Sequence, residues 1–396
     1  MLSAVRELLR DVKHGLTLKF LALLSRAAFL FIVTPRLLSG ELSRYVFLAT
    51  LAVLAGRVLS VGMEEQLPLR VAGSTEKARE FAPLIVATAI IEVALAILFW
   101  FTRDEVIVAA LLAVCYVTTS LFAGLVRSVN LEASERLRDL HWVVFAALCL
   151  LPVVWSAENL LALMAVSLMA IHILELRISG IDFSIDGVNW RTLFAISIEQ
   201  LRRAWKKLLS SATLLLMVRA IILWPNALRL SENLDDIAYA LLIGEAFWQT
   251  SMVLVYRRYA RYCVSQETPM AKKRDARAAV LVLIVYALVV AGSIQMLGWL
   301  NIEIGRFSDW TAVAAFVVFF GLISSYLLLR YLTWALVDFD WRLPGFEFLF
   351  VASQGLIVYS LPSELWVPAI TTAALVFVSL SFAYVWFLVD SPKSEA

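Results

Sequence analysis

Two arginines lie where the sequence is otherwise apolar, and their side chains are suited to binding anions. Arg26 and Arg219 each fall near the centre of a long hydrophobic stretch, and the two stretches align when the chain is shifted by 193 residues. A charge at the middle of a bilayer costs about 2.5–3.5 kcal/mol on insertion scales, so it is rarely kept without a function. A guanidinium binds phosphate oxygens through paired hydrogen bonds. The pair therefore predicts an anion site between the two halves of the chain.

The composition identifies the class of protein that must position these arginines. The chain has 396 residues, of which 62% are hydrophobic, and many apolar runs reach the roughly 17–25 residues that a membrane-spanning helix needs. The basic N-terminus runs directly into an apolar stretch without a small-residue cleavage site, which favours a retained first helix over a signal peptide. The three cysteines, Cys115, Cys149 and Cys263, form no spaced disulfide or metal pattern. We expect an all-α polytopic membrane protein.

Hydropathy windows of about 19 residues predict twelve membrane spans. A cytoplasmic N-terminus places 25 of the 34 lysines and arginines on the cytoplasmic side, so both termini are predicted to be cytoplasmic. The fifth span is barely long enough to cross. The predicted spans are 16–38, 42–62, 81–101, 106–126, 140–156, 159–178, 207–229, 235–256, 278–298, 310–330, 344–362 and 365–389.

The spans divide into two sets of six around a basic connector. Residues 1–187 are predicted to form one six-helix bundle and residues 207–396 another, joined by an amphipathic helix at 188–206 in the cytoplasmic interface. Residues 13–37 match 206–230 at nine of 25 positions. Five of these matches are leucines and carry little weight, but a lysine and two arginines also match. This pattern is typical of a transporter whose halves are parallel repeats.

Depth along the helices separates the candidate basic residues. At 1.5 Å per residue, Arg26 lies about 15 Å and Arg219 about 18 Å from the cytoplasmic ends of their spans, too deep for snorkelling alone. Lys19 shares a helical face with Arg26 but lies only about 5 Å in. Arg57 lies about 8–10 Å from the inner end of the second span, with Thr50 on its face. We take all four basic residues as candidate substrate contacts.

Acidic residues at similar depth offer a second interpretation of the charges. Glu245 lies at the depth of Arg219 on the next helix, so the two could form a structural ion pair instead of a substrate site. Glu92 and His172 are also deep and, with Glu245, are candidates for ion coupling. The predicted wall of the transport cavity comprises Thr50, Asn226, Gln249 and Tyr256.

Two stretches of the chain resemble a known family. Leu16–Gly73, with the turn from Leu38 to Glu41 followed by Tyr45, is similar to the first two helices of polysaccharide flippases of the multidrug/oligosaccharidyl-lipid/polysaccharide (MOP) exporter superfamily. Ser210–Tyr262 resembles their seventh and eighth helices. The topology matches over the whole chain, and the residue-level match covers about a quarter of it.

The resemblance implies a V-shaped pair of six-helix bundles, similar to multidrug and toxin extrusion (MATE) proteins, that works by alternating access. It implies that Lys19, Arg26, Arg57 and Arg219 hold the pyrophosphate of an undecaprenyl-linked sugar, since they match positions where lipid II flippases carry essential cations. This chain has twelve spans and lacks the extra pair that forms a lipid groove in those proteins. The substrate implied is therefore an O-antigen, capsule or exopolysaccharide repeat unit, exported across a bacterial plasma membrane.

Two other functions remain open at this stage. A multidrug exporter of the same superfamily would favour acidic cavity residues for its mostly cationic drugs, whereas four basic residues favour an anion here. A polytopic glycan-assembly enzyme could use Asp338 and Asp340 or Asp235 and Asp236, but no surrounding domain supports catalysis.

No organic cofactor is predicted, and the chain has no P-loop for ATP. Membrane potential alone, or exchange with H⁺ or Na⁺, would drive transport by a monomer, with a polysaccharide polymerase as a partner.

Overall fold

The structure, a computed structural model, is helical throughout the part of the chain that it describes. That part comprises residues 21–60, 81–129, 140–150, 156–179, 190–228, 230, 234–264, 268–300, 309–337 and 342–388. Twelve helices follow one another, as the hydropathy windows predict, and no strand occurs in these ranges. We label them α1 (21–28), α2 (Glu41–Leu59), α3 (Ala82–Thr102), α4 (Glu105–Val129), α5 (Leu140–Leu148), α6 (Ala157–Ser179), α7 (Trp190–Ala227), α8 (Asp235–Val264), α9 (Pro269–Trp299), α10 (Trp310–Val337), α11 (Arg342–Ser360) and α12 (Trp366–Leu388).

Nine of the helices in the described ranges are long and apolar enough to cross a bilayer. The other three are α1, α5 and α7. The described part of α1 has only eight α-helical residues, α5 has nine, and the apolar part of α7 is Ala212–Ala227. The length of the apolar runs thus accounts for most of the predicted spans, and the fifth is the one that the sequence marked as short.

Helix α4 is the centre of the N-terminal compact unit, which lies within Gly15–Leu215. It packs against α2, α3 and α6, while α5 packs against α6. The contact between α2 and α4 is close because Gly56 has no side chain: a Cβ atom there would lie 2.6 Å from the Cβ of Tyr116. This unit carries Arg26, Arg57, Glu92 and His172.

Helix α10 has the same role in the C-terminal compact unit, which contains Leu216–Ala396. It packs against α8, α9 and α12, while α11 packs against α12. A glycine again allows a close approach, because a Cβ at Gly244 of α8 would lie 2.8 Å from the ring of Phe320 in α10. These four helix contacts of the C-terminal unit each correspond to a contact six helices earlier in the N-terminal unit.

The structure differs from the sequence prediction at two helices. The predicted interfacial helix at 188–206 and the seventh span form one continuous helix of 38 residues, α7, and the boundary between the compact units falls inside it. The polar residues of the connector are good helix formers, so nothing in the sequence interrupts the backbone. Helix α5 ends at Leu148 instead of residue 156, shortly before Pro152, which lacks the N–H that a continuing helix would need.

The winding of α1 changes three residues after Arg26. Residues Phe29–Val33 form a π turn, closed by a hydrogen bond from the backbone N–H of Thr34 to the carbonyl of Phe29, and Thr34–Arg36 form a 3₁₀ turn. The chain then reverses at Gly40, whose φ of 86° suits glycine because it has no Cβ. Short π turns inside helices are frequent at functional sites.

Candidate functional site

Arg26 is buried in the N-terminal unit against an aromatic ring. Arg26 is 7% exposed. Its guanidinium carbon lies 4.0 Å from the centre of the Trp142 ring in α5. Trp142 in turn meets Phe145 edge-on at 5.6 Å between ring centres. A cation over an indole face gains about 2 kcal/mol or more when it is desolvated. The ring carries no formal charge, so this contact stabilises the guanidinium without neutralising it.

The structure gives less support to the other candidate residues of the N-terminal unit. Arg57 is half-buried in the last turn of α2. Thr50 is buried, but its hydroxyl donates to the carbonyl of Val46 in its own helix at 2.6 Å. Lys19 lies outside the described residues. The substrate contacts assigned to Arg57 and Lys19, and the cavity position of Thr50, remain predictions.

Arg219 forms the ion pair that its depth indicated. Its Nη2 atom lies 2.6 Å from Oε1 and 2.7 Å from Oε2 of Glu245, and the two side chains are 16% and 9% exposed. The charges neutralise each other within the C-terminal unit, between α7 and α8. Breaking such a buried pair by removing one partner leaves an uncompensated charge, which is costly.

The predicted cavity-wall residues of the C-terminal unit differ in exposure. Gln249 is half-buried, Tyr256 is 36% exposed, and the Tyr256 ring centre lies 6.1 Å from that of Tyr331. Asn226 is exposed, and its amide donates to the carbonyl of Ile222 at 2.8 Å. Their contribution to a transport pathway remains a prediction.

Glu92 and His172, which the sequence offered as two separate residues, lie together. His172 Nδ1 is 3.5 Å from Glu92 Oε1, and the other ring nitrogen, Nε2, is 2.9 Å from the hydroxyl of Thr119. The Phe122 ring stacks on the imidazole with ring centres 5.6 Å apart. Glu92 is 3% exposed and His172 is 5% exposed. The three helices α3, α4 and α6 therefore build one buried polar cluster.

Sequence reasoning missed Glu175, which lies one helical turn beyond His172. It is 4% exposed, and its Oε2 atom accepts no hydrogen bond from any residue that the structure describes. Its spacing of three residues from a deep histidine was the available signal, because residues i and i+3 share a helical face. Glu175 lies near the end of the predicted span 159–178, where a charged residue is ordinarily assigned to the membrane interface.

A second buried network that the sequence did not reveal lies in the C-terminal unit. Arg330 Nη1 is 3.1 Å from Glu347 Oε1, and the Tyr326 hydroxyl donates to the same oxygen at 2.6 Å. Arg330 is 2% exposed and Glu347 is fully buried. This network joins α10 to α11 near predicted span ends, where charged residues are ordinarily assigned to the interface.

A third polar network joins the C-terminal end of α8 to the first turns of α9. Arg258 Nη1 is 2.6 Å from Asp275 Oδ1, and the Tyr262 hydroxyl donates to Asp275 Oδ2 at 3.0 Å. Burial and the nearby Asp275 carboxylate raise the pKa of the Tyr262 hydroxyl well above its usual range. Lys272 donates to the Tyr262 carbonyl at 2.7 Å. These contacts join α8 to α9 and stabilise the packing of the two helices.

The structure describes one of the two acidic pairs considered for catalysis. Asp235 and Asp236 are the first two residues of α8, where a helix dipole stabilises negative charge. Asp338 and Asp340 lie outside the described residues. Within the described ranges, no group of three or more His, Cys, Asp or Glu side chains is arranged to hold a metal ion.

Comparison with known proteins finds similarity in structure and none in sequence. No protein-family model and no curated protein sequence matches the chain. A MATE family multidrug resistance transporter of the MOP superfamily in its inward-facing conformation matches with a TM-score of 0.66 at 16% identity, over 96% of both chains. The outward-facing form of such a transporter matches with a TM-score of 0.62 at 13% identity, over 99% of this chain and 97% of the other.

A flippase shares the fold as well. The lipid II flippase MurJ, in an inward closed conformation, matches with a TM-score of 0.60 at 12% identity, over 96% of this chain and 87% of that chain. The chain therefore has the all-helical fold of MOP superfamily transporters and flippases, as the resemblance implied. The described ranges contain nine helices long and apolar enough to cross a bilayer, so the chain is a multi-pass membrane protein.

Proposed function

We propose that the chain is a flippase that moves an anionic lipid-linked oligosaccharide from the cytoplasmic to the outer leaflet of a bacterial plasma membrane. The observation that carries this proposal is the guanidinium of Arg26, which is buried in a membrane protein and held against the ring of Trp142. An aromatic contact stabilises a desolvated cation, and a guanidinium binds phosphate oxygens through paired hydrogen bonds.

The charge of the proposed substrate agrees with this arrangement. A pyrophosphate carries at least two negative charges, and guanidinium groups bind its oxygens in pairs. With the cytoplasm negative, outward movement of each negative charge gains about 2.3 kcal/mol per 100 mV. In this proposal, Arg26 contacts the pyrophosphate, while Arg57 and Lys19 are further contacts on the same unit. The distribution of lysine and arginine along the sequence supports cytoplasmic termini, and a polysaccharide polymerase is the expected partner.

Arg26 variants test the proposal in proteoliposomes. The full chain is reconstituted with a fluorescent undecaprenyl-diphosphate sugar, and outer-leaflet probe is bleached with dithionite. Arg26→Ala should slow flipping by about 10- to 100-fold, the loss expected for a hydrogen bond to a charged group. Arg26→Lys should recover part of the rate, since an ammonium keeps the charge without the paired geometry.

Two controls make this experiment specific. Arg274→Ala removes an exposed arginine of α9 and should leave the rate unchanged. A fluorescent glycolipid without phosphate should be a poor probe for every variant. Flipping by Arg26→Ala at the wild-type rate would exclude the proposed role of the arginine.

A multidrug exporter is the second candidate function. The acidic residues Glu92 and Glu245 are buried in the helical units, and MATE transporters share the fold. Cationic drugs would be attracted to such carboxylates. Efflux of ethidium from proteoliposomes that contain the full chain, combined with no movement of the diphosphate lipid, would favour this candidate over the flippase.

A further inference from the structure

We infer that a groove between α3 and α6 binds one anionic phospholipid of the membrane, with an acyl chain along the groove and the head group at Arg177. The site belongs to the N-terminal unit alone and does not depend on the function proposed above. The groove has a volume of about 380 Å³. The described residues that line it are all apolar: Ile85, Val86, Ala89, Ile90, Val93 and Leu176.

The groove lies where two neighbouring helices pack incompletely. Helix α3 packs on α4, whereas its contact with α6 is sparse. Glu92 and His172, both buried, approach to 3.5 Å and link α3 to α6 in the interior of the unit. Ala89 contributes only a methyl group to the groove, so space remains that a larger side chain would fill. Hydrocarbon in this space restores the dispersion contacts that an open gap lacks.

The groove opens on a surface that suits lipid. Ile85 at its base is 1% exposed, whereas Ile90 is 62% and Val93 is 51% exposed at its rim. The exposed residues of α3 from Ile90 to Phe101 are all apolar, and α3 is long and apolar enough to cross a bilayer. Large exposed apolar surfaces mark contacts with membranes or with other proteins. On a membrane-spanning helix, the hydrocarbon chain of a lipid is the partner at hand.

The length of the groove matches one leaflet of the membrane. Val93 lies eight residues after Ile85, or about 12 Å at 1.5 Å per residue. One leaflet contributes about 15 Å of the hydrocarbon core. Because α3 begins at Ala82, the groove starts one turn from the helix end and runs toward the middle of the membrane. A phospholipid acyl chain spans this distance, whereas an undecaprenyl chain is much longer.

Positive charge lies at the end of the groove where the head group would be. Arg177 is exposed in the last turn of α6, directly after the groove residue Leu176. Ile173, which is 57% exposed, shares a helical face with both, since residues three and four apart are neighbours. Glu175 is only 4% exposed and is not part of this face.

The start of α3 adds to this positive charge. Ile85 of the first turn of α3 and Leu176 of the last turn of α6 line the same groove, so the two helix ends lie together. No side chain caps the N-terminus of α3, where the helix dipole is positive. A head group with a net negative charge is therefore favoured over a zwitterionic one.

Photolabelling of the full chain in a bilayer tests the site. The chain is reconstituted in phosphatidylcholine with a trace of phosphatidylglycerol that carries a diazirine in one acyl chain, and the labelled residues are mapped by mass spectrometry. Label should concentrate on residues 85–93 and on Leu176. A phosphatidylcholine probe with the same chain should label these positions about fivefold less, the difference expected for one cation next to an anionic lipid.

Variants separate the acyl chain from the head group. Ala89→Phe fills the groove and should remove most of the label at Leu176, and Ala89→Leu should remove part of it. Ile97→Phe, at an exposed position of α3 beyond the groove, is the matched control and should leave the label unchanged. Arg177→Gln should abolish the preference for phosphatidylglycerol at residues 85–93, whereas Arg274→Gln, which removes an exposed arginine of the other unit, should preserve it.

Three results would overturn the site. Equal labelling by the two probes would show that the head group is not recognised. Label spread evenly along the exposed face of α3, and unchanged in both Ala89 variants, would show ordinary contact with the surrounding bilayer. Displacement of the phosphatidylglycerol probe by undecaprenyl diphosphate, at a concentration where unlabelled phosphatidylglycerol has no effect, would assign the groove to a polyprenyl chain instead.

Discussion

Arg26 and Arg219 hold matching positions in the two repeats and have different partners. Arg26 packs against the uncharged ring of Trp142, whereas Arg219 forms a short ion pair with Glu245. The shift of 193 residues that aligns the arginines places Ala52 of α2 opposite Glu245 of α8. The repeat has thus kept the cation in both halves, whereas the matched position on the next helix is acidic in only one. The residues packed around a buried cation determine what it can do.

Breaking the ion pair should give the largest effect on stability. Arg219→Met leaves the Glu245 carboxylate buried alone and should cost about 3–5 kcal/mol in the free energy of unfolding. Glu245→Met should cost a similar amount, and the double variant should recover most of the loss. Thermal unfolding of the purified chain in detergent measures this. Additive losses in the double variant would show that the two residues are not a pair.

Removal of the ring beside Arg26 should have the next largest effect. Trp142→Leu loses a desolvated cation–π contact and should destabilise the N-terminal unit by about 2 kcal/mol. Trp142→Phe keeps a weaker aromatic face and should lose less. The same unfolding assay applies, with Trp100→Leu as a control on an exposed tryptophan. Equal losses for Trp142→Leu and Trp142→Phe would show that the ring acts by volume alone.

Introducing an acid at the position matched to Glu245 should make the two repeats more alike. Ala52→Glu introduces a carboxylate into the N-terminal unit at the position matched to Glu245, and it should slow flipping by about tenfold, or about 1.4 kcal/mol, by offsetting the charge of Arg26. Ala52→Gln has nearly the same size without the charge and is the matched control. Dithionite bleaching of the diphosphate lipid measures both rates. An equal loss in both variants would indicate crowding instead of charge compensation.

Exposed ion pairs should matter least. Arg44 bonds Glu105 and lies 3.0 Å from Glu158, and these contacts join the N-terminal ends of α2, α4 and α6. Because these side chains are partly exposed, Arg44→Gln should cost only about 0–1 kcal/mol, and the difference should vanish in concentrated salt. Unfolding of both proteins at low and high KCl measures this. A loss of stability as large as that of Arg219→Met would show that side-chain exposure does not explain the difference between the two ion pairs.

The sequence predicts the helices better than the contacts between them. Apolar runs locate the twelve helices, and equal depth correctly pairs Arg219 with Glu245, since neighbouring antiparallel helices bring equal depths together. The contact of Glu92 with His172 joins α3 to α6 and depends on how each helix is rotated about its axis, which depth does not define. Trp142 illustrates the same limit: its position near a span end predicts an interfacial aromatic residue, but it packs on Arg26.

The π turn at Phe29–Val33 separates the two matching helices in structure where they still match in sequence. A π turn holds one residue more than an α-helical turn, and helix α7 runs from Trp190 to Ala227 as a single α-helix. The ungapped match between residues 13–37 and 206–230 therefore keeps a common helical phase only as far as Phe29. The two halves share the position of the arginine and differ in how the helix continues beyond it.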